Sequence, residues 1–332
     1  MPERSRSRRV MLCLLSACAS LLGFSVTTPA FAVSGSKCIA MAQAPSTKEA
    51  QAPSTKEAQA PSTNQAQAPS TNQAQAPSIR SAGASPFRAP SLIHQIAHQP
   101  ATLVPTALNV GEVRITYVTH ASFRIETQGG IAMVTDYSGI AGEGRPPDVV
   151  TMNHAHETHW TDTPDPRISH VLRGWNPNGG PANHELNIGD VFIRNVPTDI
   201  RNWGGGSEPD GNSIFIFEVA GLCIGHLGHL HHELAPADLG VIGQLDIVMA
   251  PVDGSYTLDH DSMVNVLKLL KARLVIPMHA FGQITLERFL GRMASDFEII
   301  RSGTSTMIVS ANQLPDTPTI QVMPESLSWS FE

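Results

Sequence analysis

The chain has 332 residues, 41% of them hydrophobic and 15% charged, with a formal net charge of −7. That length allows one large domain or two small ones, and the acidic balance argues against a nucleic-acid partner, which needs basic surface. Neither a phosphate-binding P-loop, nor a GxGxxG opening a helix, nor a GxSxG is present.

Residues 1–32 begin with Arg4, Arg6, Arg8 and Arg9, continue as an apolar run from Val10 and end in Ala30-Phe31-Ala32. This is the layout of a secretory signal peptide cleaved after Ala32, and it predicts a periplasmic or secreted protein. Ser16, Ser20, Gly23 and Ser25 interrupt the run. It therefore falls short of the roughly 20 apolar residues of a membrane span, and no stable insertion is expected after cleavage. Ser7-Arg8-Arg9-Val10-Met11-Leu12 resembles a twin-arginine signal. Leu15-Ser16-Ala17-Cys18 resembles a lipoprotein box, but the apolar run continues beyond it to the cleavage site. Cleavage removes four arginines and one glutamate, so the mature formal charge falls from −7 to −10, which favours solubility. Only Cys38 and Cys223 remain. Cys38 lies in a polar tail and Cys223 in the apolar "GLCIG", so the expectation is no disulfide framework and a Cys223 that packs as a small hydrophobe.

Residues 33–105 are expected to be a disordered linker. Within them, 44–78 are four octapeptides (APSTKEAQ twice, then APSTNQAQ twice) and the start of a fifth. Such a Pro/Ser/Thr/Gln repeat has almost nothing apolar to bury and cannot offset the entropy of ordering. It reads as a spacer between the export segment and the folded part.

A single domain is predicted over 106–332. "EVRITYVTH", "SFRIETQ" and "GIAMVTD" are short β-rich runs separated by turn signals, and "PDVVTMNH" is an apolar strand entering a histidine cluster. "GDVFIRNV", "SIFIFEVA" and "LCIGHLG" follow as strands. Then "LDIVMAP" (strand), "SMVNVLKLLKA" (helix), "RLVIPMHA" (strand) and "TLERFLGRM" (helix) alternate. A β-rich half followed by strand–helix alternation implies layered α/β architecture. The glycine-rich "WGGGSEPDG" (203–211) lacks the lysine of a phosphate cradle and is expected as a surface loop, with Trp203 as a lid candidate.

"MNHAHETHW" places His154, His156 and His159 at a strand end. Alternate residues of an extended segment share a face, so His154 and His156 can point together, and a turn would return His159 to them. "IGHLGHLHHE" sets His226, His229, His231 and His232 after a second strand, and "VIPMHA" ends a third at His279. Neutral imidazole is the commonest metal ligand, and strand ends are where open α/β folds place their sites. A metal centre is expected.

From "ITYVTHASFRIET" through "VTDYSG", "PPDVVTMNHAHETH", "GNSIFIFEVAGLCIGHLGHLHH", "DIVMAPVDGSYTLD" and "RLVIPMHA", the chain resembles the metallo-β-lactamase superfamily over roughly 112–280. It is most similar to the branch of ascorbate-6-phosphate lactonase-like hydrolases. The resemblance implies a four-layer αββα sandwich and a metal-dependent hydrolase of esters, lactones, amides or phosphodiesters acting on a small molecule. It implies His154, His156, His159, His229 and His279 as metal ligands. His120, in "THASF", faces the site, Asp136 orients a ligand histidine, and His232 is a proton-donor candidate. His226 is read as a strand member and His231 as exposed. Three positions depart from the family pattern: Thr158 replaces an Asp, Ile200 falls where a histidine is expected (Asp199 being the nearest candidate ligand), and His229 replaces a bridging Asp. Asp253 replaces a glycine of the family's Gly-Gly loop and is an acid that could enter the pocket. With so little anionic compensation, one divalent ion is expected, zinc first, iron or manganese otherwise. The competing reading is a degenerate metal- or ligand-binding protein without hydrolysis, which the same departures favour.

Overall fold

The computed structural model describes residues 36–43, 107–201 and 206–327. The leader, the octapeptide repeats and Trp203 lie outside the described residues. Strands β1 (Glu112–Thr119), β2 (Ser122–Thr127), β3 (Ala132–Val134), β4 (Val149–Met152) and β5 (His170–Arg173) are followed by β6 (Glu185–Ile188), β7 (Val191–Arg201), β8 (Ser207–Val219) and β9 (Leu222–His226). The second half adds β10 (Ile247–Pro251), β11 (Leu274–Met278), β12 (Glu298–Arg301), β13 (Thr306–Ser310) and β14 (Thr319–Val322). Helices are α1 (Lys37–Gln43), α2 (Pro236–Ile242), α3 (His260–Leu270) and α4 (Gln283–Met293).

The strands form a six-stranded sheet, β13-β1-β2-β3-β4-β5, and an eight-stranded sheet, β12-β14-β11-β10-β9-β8-β7-β6. Alternation along each strand decides what each face buries. Ile115, Phe123, Ile125 and Met133 of the smaller sheet pack against Ile193, Phe215, Phe217 and Met249 of the larger. The other face of the larger sheet, with Ile216, Val248 and Val275, is covered by Met263, Val266 and Leu267 of α3 and by Phe289 and Leu290 of α4. On the outer face of the smaller sheet, Val134, Val150 and Met152 meet Tyr137 and Ile168 from the coil-rich stretch between β3 and β5. The result is the expected α/β sandwich.

Two expectations are corrected. Cys38 and Cys223 form a disulfide, with Cα atoms 5.9 Å apart, although the sequence suggested an unpaired, buried Cys223. Residues 36–43 are not linker: they include helix α1 and belong to the same folded unit as the sandwich. The reason is a buried ionic clamp. Arg194 on β7 pairs with Glu218 on β8 at 3.0 Å. Glu218 accepts from Ser36 Oγ at 2.5 Å and from the Lys37 backbone N–H at 2.8 Å, while Arg194 donates to the carbonyls of Val241 and Ile242. A carboxylate thus lies at the first turn of α1 and a guanidinium at the last turn of α2, the signs that helix dipoles favour. The expected loop is also shortened, because Ser207–Gly211 extends β8, pairing Ser207 with Arg201 and Glu208 with Ile200.

Candidate metal centre

Four histidines converge where the two sheets meet. One ring nitrogen of each of His120, His156, His159 and His279 lies within 4.8 Å of the others. His120 sits in the turn between β1 and β2, His156 and His159 in the turn after β4, and His279 at the end of β11. The His279 N–H donates to the His120 carbonyl at 2.8 Å, stitching the sheets together at this point. Glu325 accepts from the His120 N–H at 2.9 Å, and the Tyr117 hydroxyl donates to the same His120 carbonyl at 2.7 Å. His120, Asp136 and His279 have φ of 50°, 41° and 57°. Left-handed backbone at non-glycine residues is strained and concentrates at functional sites.

Buried carboxylates stand behind two of the rings. His159 donates from Nδ1 to Asp136 Oδ2 at 2.5 Å, and His279 donates from Nδ1 to Asp253 Oδ2 at 3.0 Å. All four residues are buried. An ionised carboxylate only accepts, so each Nδ1 carries the proton and each Nε2 is a bare lone pair. Those two Nε2 atoms face each other at 3.2 Å. Facing lone pairs repel unless a cation lies against both, and a carboxylate behind the imidazole is the usual support of a metal-binding histidine. The Nε2 of His120 is buried and lacks a hydrogen-bond partner among the described residues. The donor set therefore fits a divalent metal.

Asp136 also accepts from Asn153 Nδ2 at 2.8 Å, while Asn153 Oδ1 accepts from the Ser213 N–H at 2.7 Å. Burial pushes the Asp136 carboxyl up to about 6, against the pull of His226 and of the Asn153 hydrogen bond. For Asp253, burial acts upward too, but hydrogen bonds from His279 and Thr257 outweigh it and hold it below the usual carboxylate range. Burial and the neighbouring imidazoles hold His156 and His159 below the usual histidine value and push His120 down to about 2. The rings are therefore neutral at neutral pH, as ligands must be.

Thr158 Oγ1 lies 2.8 Å from His156 Nδ1. The residue at the altered acid position can thus accept that ring's Nδ1–H and leave Nε2 for an ion, but it adds no charge.

The structure does not bring every expected residue here. His154 stands outside the group: its Nδ1 is 2.7 Å from Glu208 Oε1 and its ring stacks on Trp175 at 5.0 Å. Strand alternation ends at Met152, and the following residues turn, with the His159 N–H bonded to the His156 carbonyl, so the face-sharing argument for His154 fails. His232 is also apart: its Nε2 accepts from the Asp199 N–H and its Nδ1 donates to the Glu233 carbonyl. Asp199 is occupied by the Asp210 N–H within the β7–β8 hairpin, and Ile200 is buried. His226 donates to the Ala121 carbonyl, a structural tie. His229 packs edge-on against His156, His159 and His279, with centroids 5.0, 4.8 and 4.9 Å away. Asn153, Glu325 and Thr257 were not singled out from the sequence. Asn153 precedes the first histidine of the cluster, and a polar residue at the end of an apolar strand is the signal that could have marked it.

The family model for the beta-lactamase superfamily domain matches residues 114–279, half of the chain. The chain belongs to the metallo-β-lactamase superfamily. A UPF0173 metal-dependent hydrolase of Thermoplasma volcanium is 27% identical over 194 residues, covering 51% of this chain and 83% of that protein. A UPF0173 protein of Pyrococcus abyssi is 22% identical over 187 residues, covering 50% and 83%. Among solved structures, a Thermotoga maritima protein described as a Zn-dependent hydrolase of the superfamily is 28% identical. It covers 64% of this chain and 98% of its own, with a TM-score of 0.46. The superfamily match spans the segment from β1 to His279 that holds all four converging histidines.

Proposed function

We propose that the protein is an exported metal-dependent hydrolase holding one divalent cation, zinc by default, among His120, His156, His159 and His279. The observation that carries this reading is the pair of Nε2 lone pairs of His159 and His279, 3.2 Å apart, each fixed by a carboxylate behind its ring. Relatives called metal-dependent hydrolases support it. A divalent cation in such a site lowers the pKa of a bound water and polarises the scissile group. Two buried carboxylates, Asp136 and Asp253, balance one dication, whereas a second would be buried without compensation.

The substrate class follows from the cleft. It measures about 1210 Å³ and is lined by His120, His156 and Thr158, with Ile140, Tyr256 and Phe281 as apolar walls. Its charged lining residues are Glu157 and Glu325. With acidic and no basic lining among the described residues, the cleft favours an uncharged ester, lactone or amide over a phosphodiester. Export rests on the leader pattern and draws support from the Cys38–Cys223 bond, since disulfides persist in oxidising compartments. Among the described residues no helix is long and apolar enough to cross a membrane.

A binding protein without turnover is the second reading, favoured by the neutral Thr158 and by the engagement of His154 with Glu208. Untagged protein purified without chelator tests both readings through metal analysis and a panel of esters, lactones, amides and phosphodiesters. One equivalent with turnover supports the hydrolase. One equivalent with no turnover selects the binding protein, two equivalents overturn the single-ion site, and none overturns the metal centre altogether.

A further inference from the structure

His229 occupies the position at which the family pattern carries a bridging acid, and its surroundings give it a different role. Its side chain is 3% exposed, and Nε2 is buried without a hydrogen-bond partner among the described residues. The loop is pinned in place: Gly228 has φ +59°, and a Cβ there would meet Asn153 Nδ2 at 2.3 Å and Asn212 Oδ1 at 2.4 Å. The His229 N–H donates to that same Asn212 Oδ1 at 2.7 Å. Only glycine lets the loop approach closely enough to set His229 against the cluster.

The proton on His229 is fixed from outside. Arg201 donates to His231 Nδ1 twice, from Nε at 3.0 Å and from its backbone N–H at 3.2 Å. A guanidinium has no acceptor, so His231 Nδ1 must be bare and His231 carries its proton on Nε2. That Nε2 lies 2.5 Å from His229 Nδ1. His231 is the donor there, so His229 Nδ1 is the acceptor and its own proton sits on Nε2. The opposite tautomer would set a His231 Nδ1–H against two N–H donors.

We infer that His229 is a hydrogen-bond donor into the site and not a ligand, its Nε2–H set by Arg201 acting through His231. The inference builds on the metal-centre reading above. The contrast with its neighbours is chemical: carboxylates behind His159 and His279 bare their Nε2 atoms for a cation, whereas a cationic side chain behind His231 arms His229 with a proton. The substitution of histidine for a bridging acid therefore removes one anionic ligand and supplies a donor. Arg201 and His231 are positioning residues.

The test reads the proton directly, in side-chain nitrogen-15 NMR of the histidines in the full protein at neutral pH. His229 is expected as the Nε2–H tautomer both before and after one equivalent of zinc, while His159 and His279 are Nδ1–H. A proton found on His229 Nδ1, or lost from Nε2 when zinc is added, overturns the inference. His231→Phe removes the donor and should give His229 a mixture of tautomers; an unchanged Nε2–H signal overturns the role of Arg201 and His231. His229→Leu should keep zinc affinity within about threefold, where loss of a ligand would exceed the roughly 10–100-fold that even a supporting residue costs. A protein that takes up no zinc sinks the metal-centre reading alone, since the tautomer remains measurable without metal.

Discussion

His154 is held by Glu208, Nδ1 to Oε1 at 2.7 Å, and by the face of Trp175, and so stands outside the four converging histidines although it opens the HxHxxH motif. His154→Ala is therefore expected to leave zinc affinity within about threefold. His156→Ala or His279→Ala should lower it by more than the roughly 100-fold upper range seen for supporting residues. Competition with a chromophoric chelator measures each. Equal losses for His154 and His279 would show that His154 leaves Glu208 to join the centre.

Asp136 fixes the tautomer and rotation of the His159 ring with a 2.5 Å hydrogen bond, and in the proposed centre it would act on the metal through that ring. Asp136→Ala retains every histidine yet removes that support, and zinc affinity should fall roughly 10–100-fold. An unchanged affinity in a folded variant would contradict the assignment.

The pH dependence of the metal-free protein has a definite sign. Burial pushes His120 down to about 2 and His231 down to about 4. As pH falls from 6.5 toward 4, the unfolded chain takes up protons at both, and the folded protein does not. Asp136, pushed up to about 6 by burial, works the other way, since between about 4 and 6 the folded state holds a proton that the unfolded state has released. Two groups oppose one, and His156, His159 and His229, all held low, side with the two. Stability should therefore fall on acidification through this window. Melting curves in chelator at pH 7, 6 and 5 check it; a flat or rising Tm would exclude neutral buried imidazoles.

Much of this was legible in the sequence because strands announce themselves by composition. "PDVVTMNH" and "RLVIPMHA" read as apolar strands, and their terminal histidines land where strand ends meet. What the sequence could not carry was anything decided across the fold. His154 was misplaced because alternation stops at Met152, a boundary set by the turn that follows. The tautomer of His229 depends on Arg201, 30 residues before His231 and brought to it by the β7–β8 hairpin. Strands β12, β13 and β14 were missed because they are partly exposed and lack the unbroken buried run of β9, β10 and β11, so each takes its place from its pairing partners. Asp253 was legible as an acid in a loop, but its role behind His279 was not, because that needs two strand ends side by side.

The same limitation explains the disulfide, and it makes the last prediction. Cys38 and Cys223 are 185 residues apart in sequence, so spacing gave no hint of a pair. The bond ties α1 to the start of β9, beside the Arg194–Glu218 clamp. Closing so long a loop removes much unfolded-state freedom, about 5 kcal/mol by chain entropy alone, and loss of a native disulfide usually costs roughly 2–5 kcal/mol. Cys38→Ser with Cys223→Ala should lower the free energy of unfolding by an amount in that range, with zinc binding retained at low temperature because Cys223 lies on β9 outside the histidine cluster. The bond also fixes topology. Residues 44–106 join Gln43 in sequence to the residues that precede β1, so a chain cut once within them should run as one species without reductant and as two with it. Separation without reductant would mean that Cys38 is not bonded to Cys223, and residues 36–43 would then revert to tail.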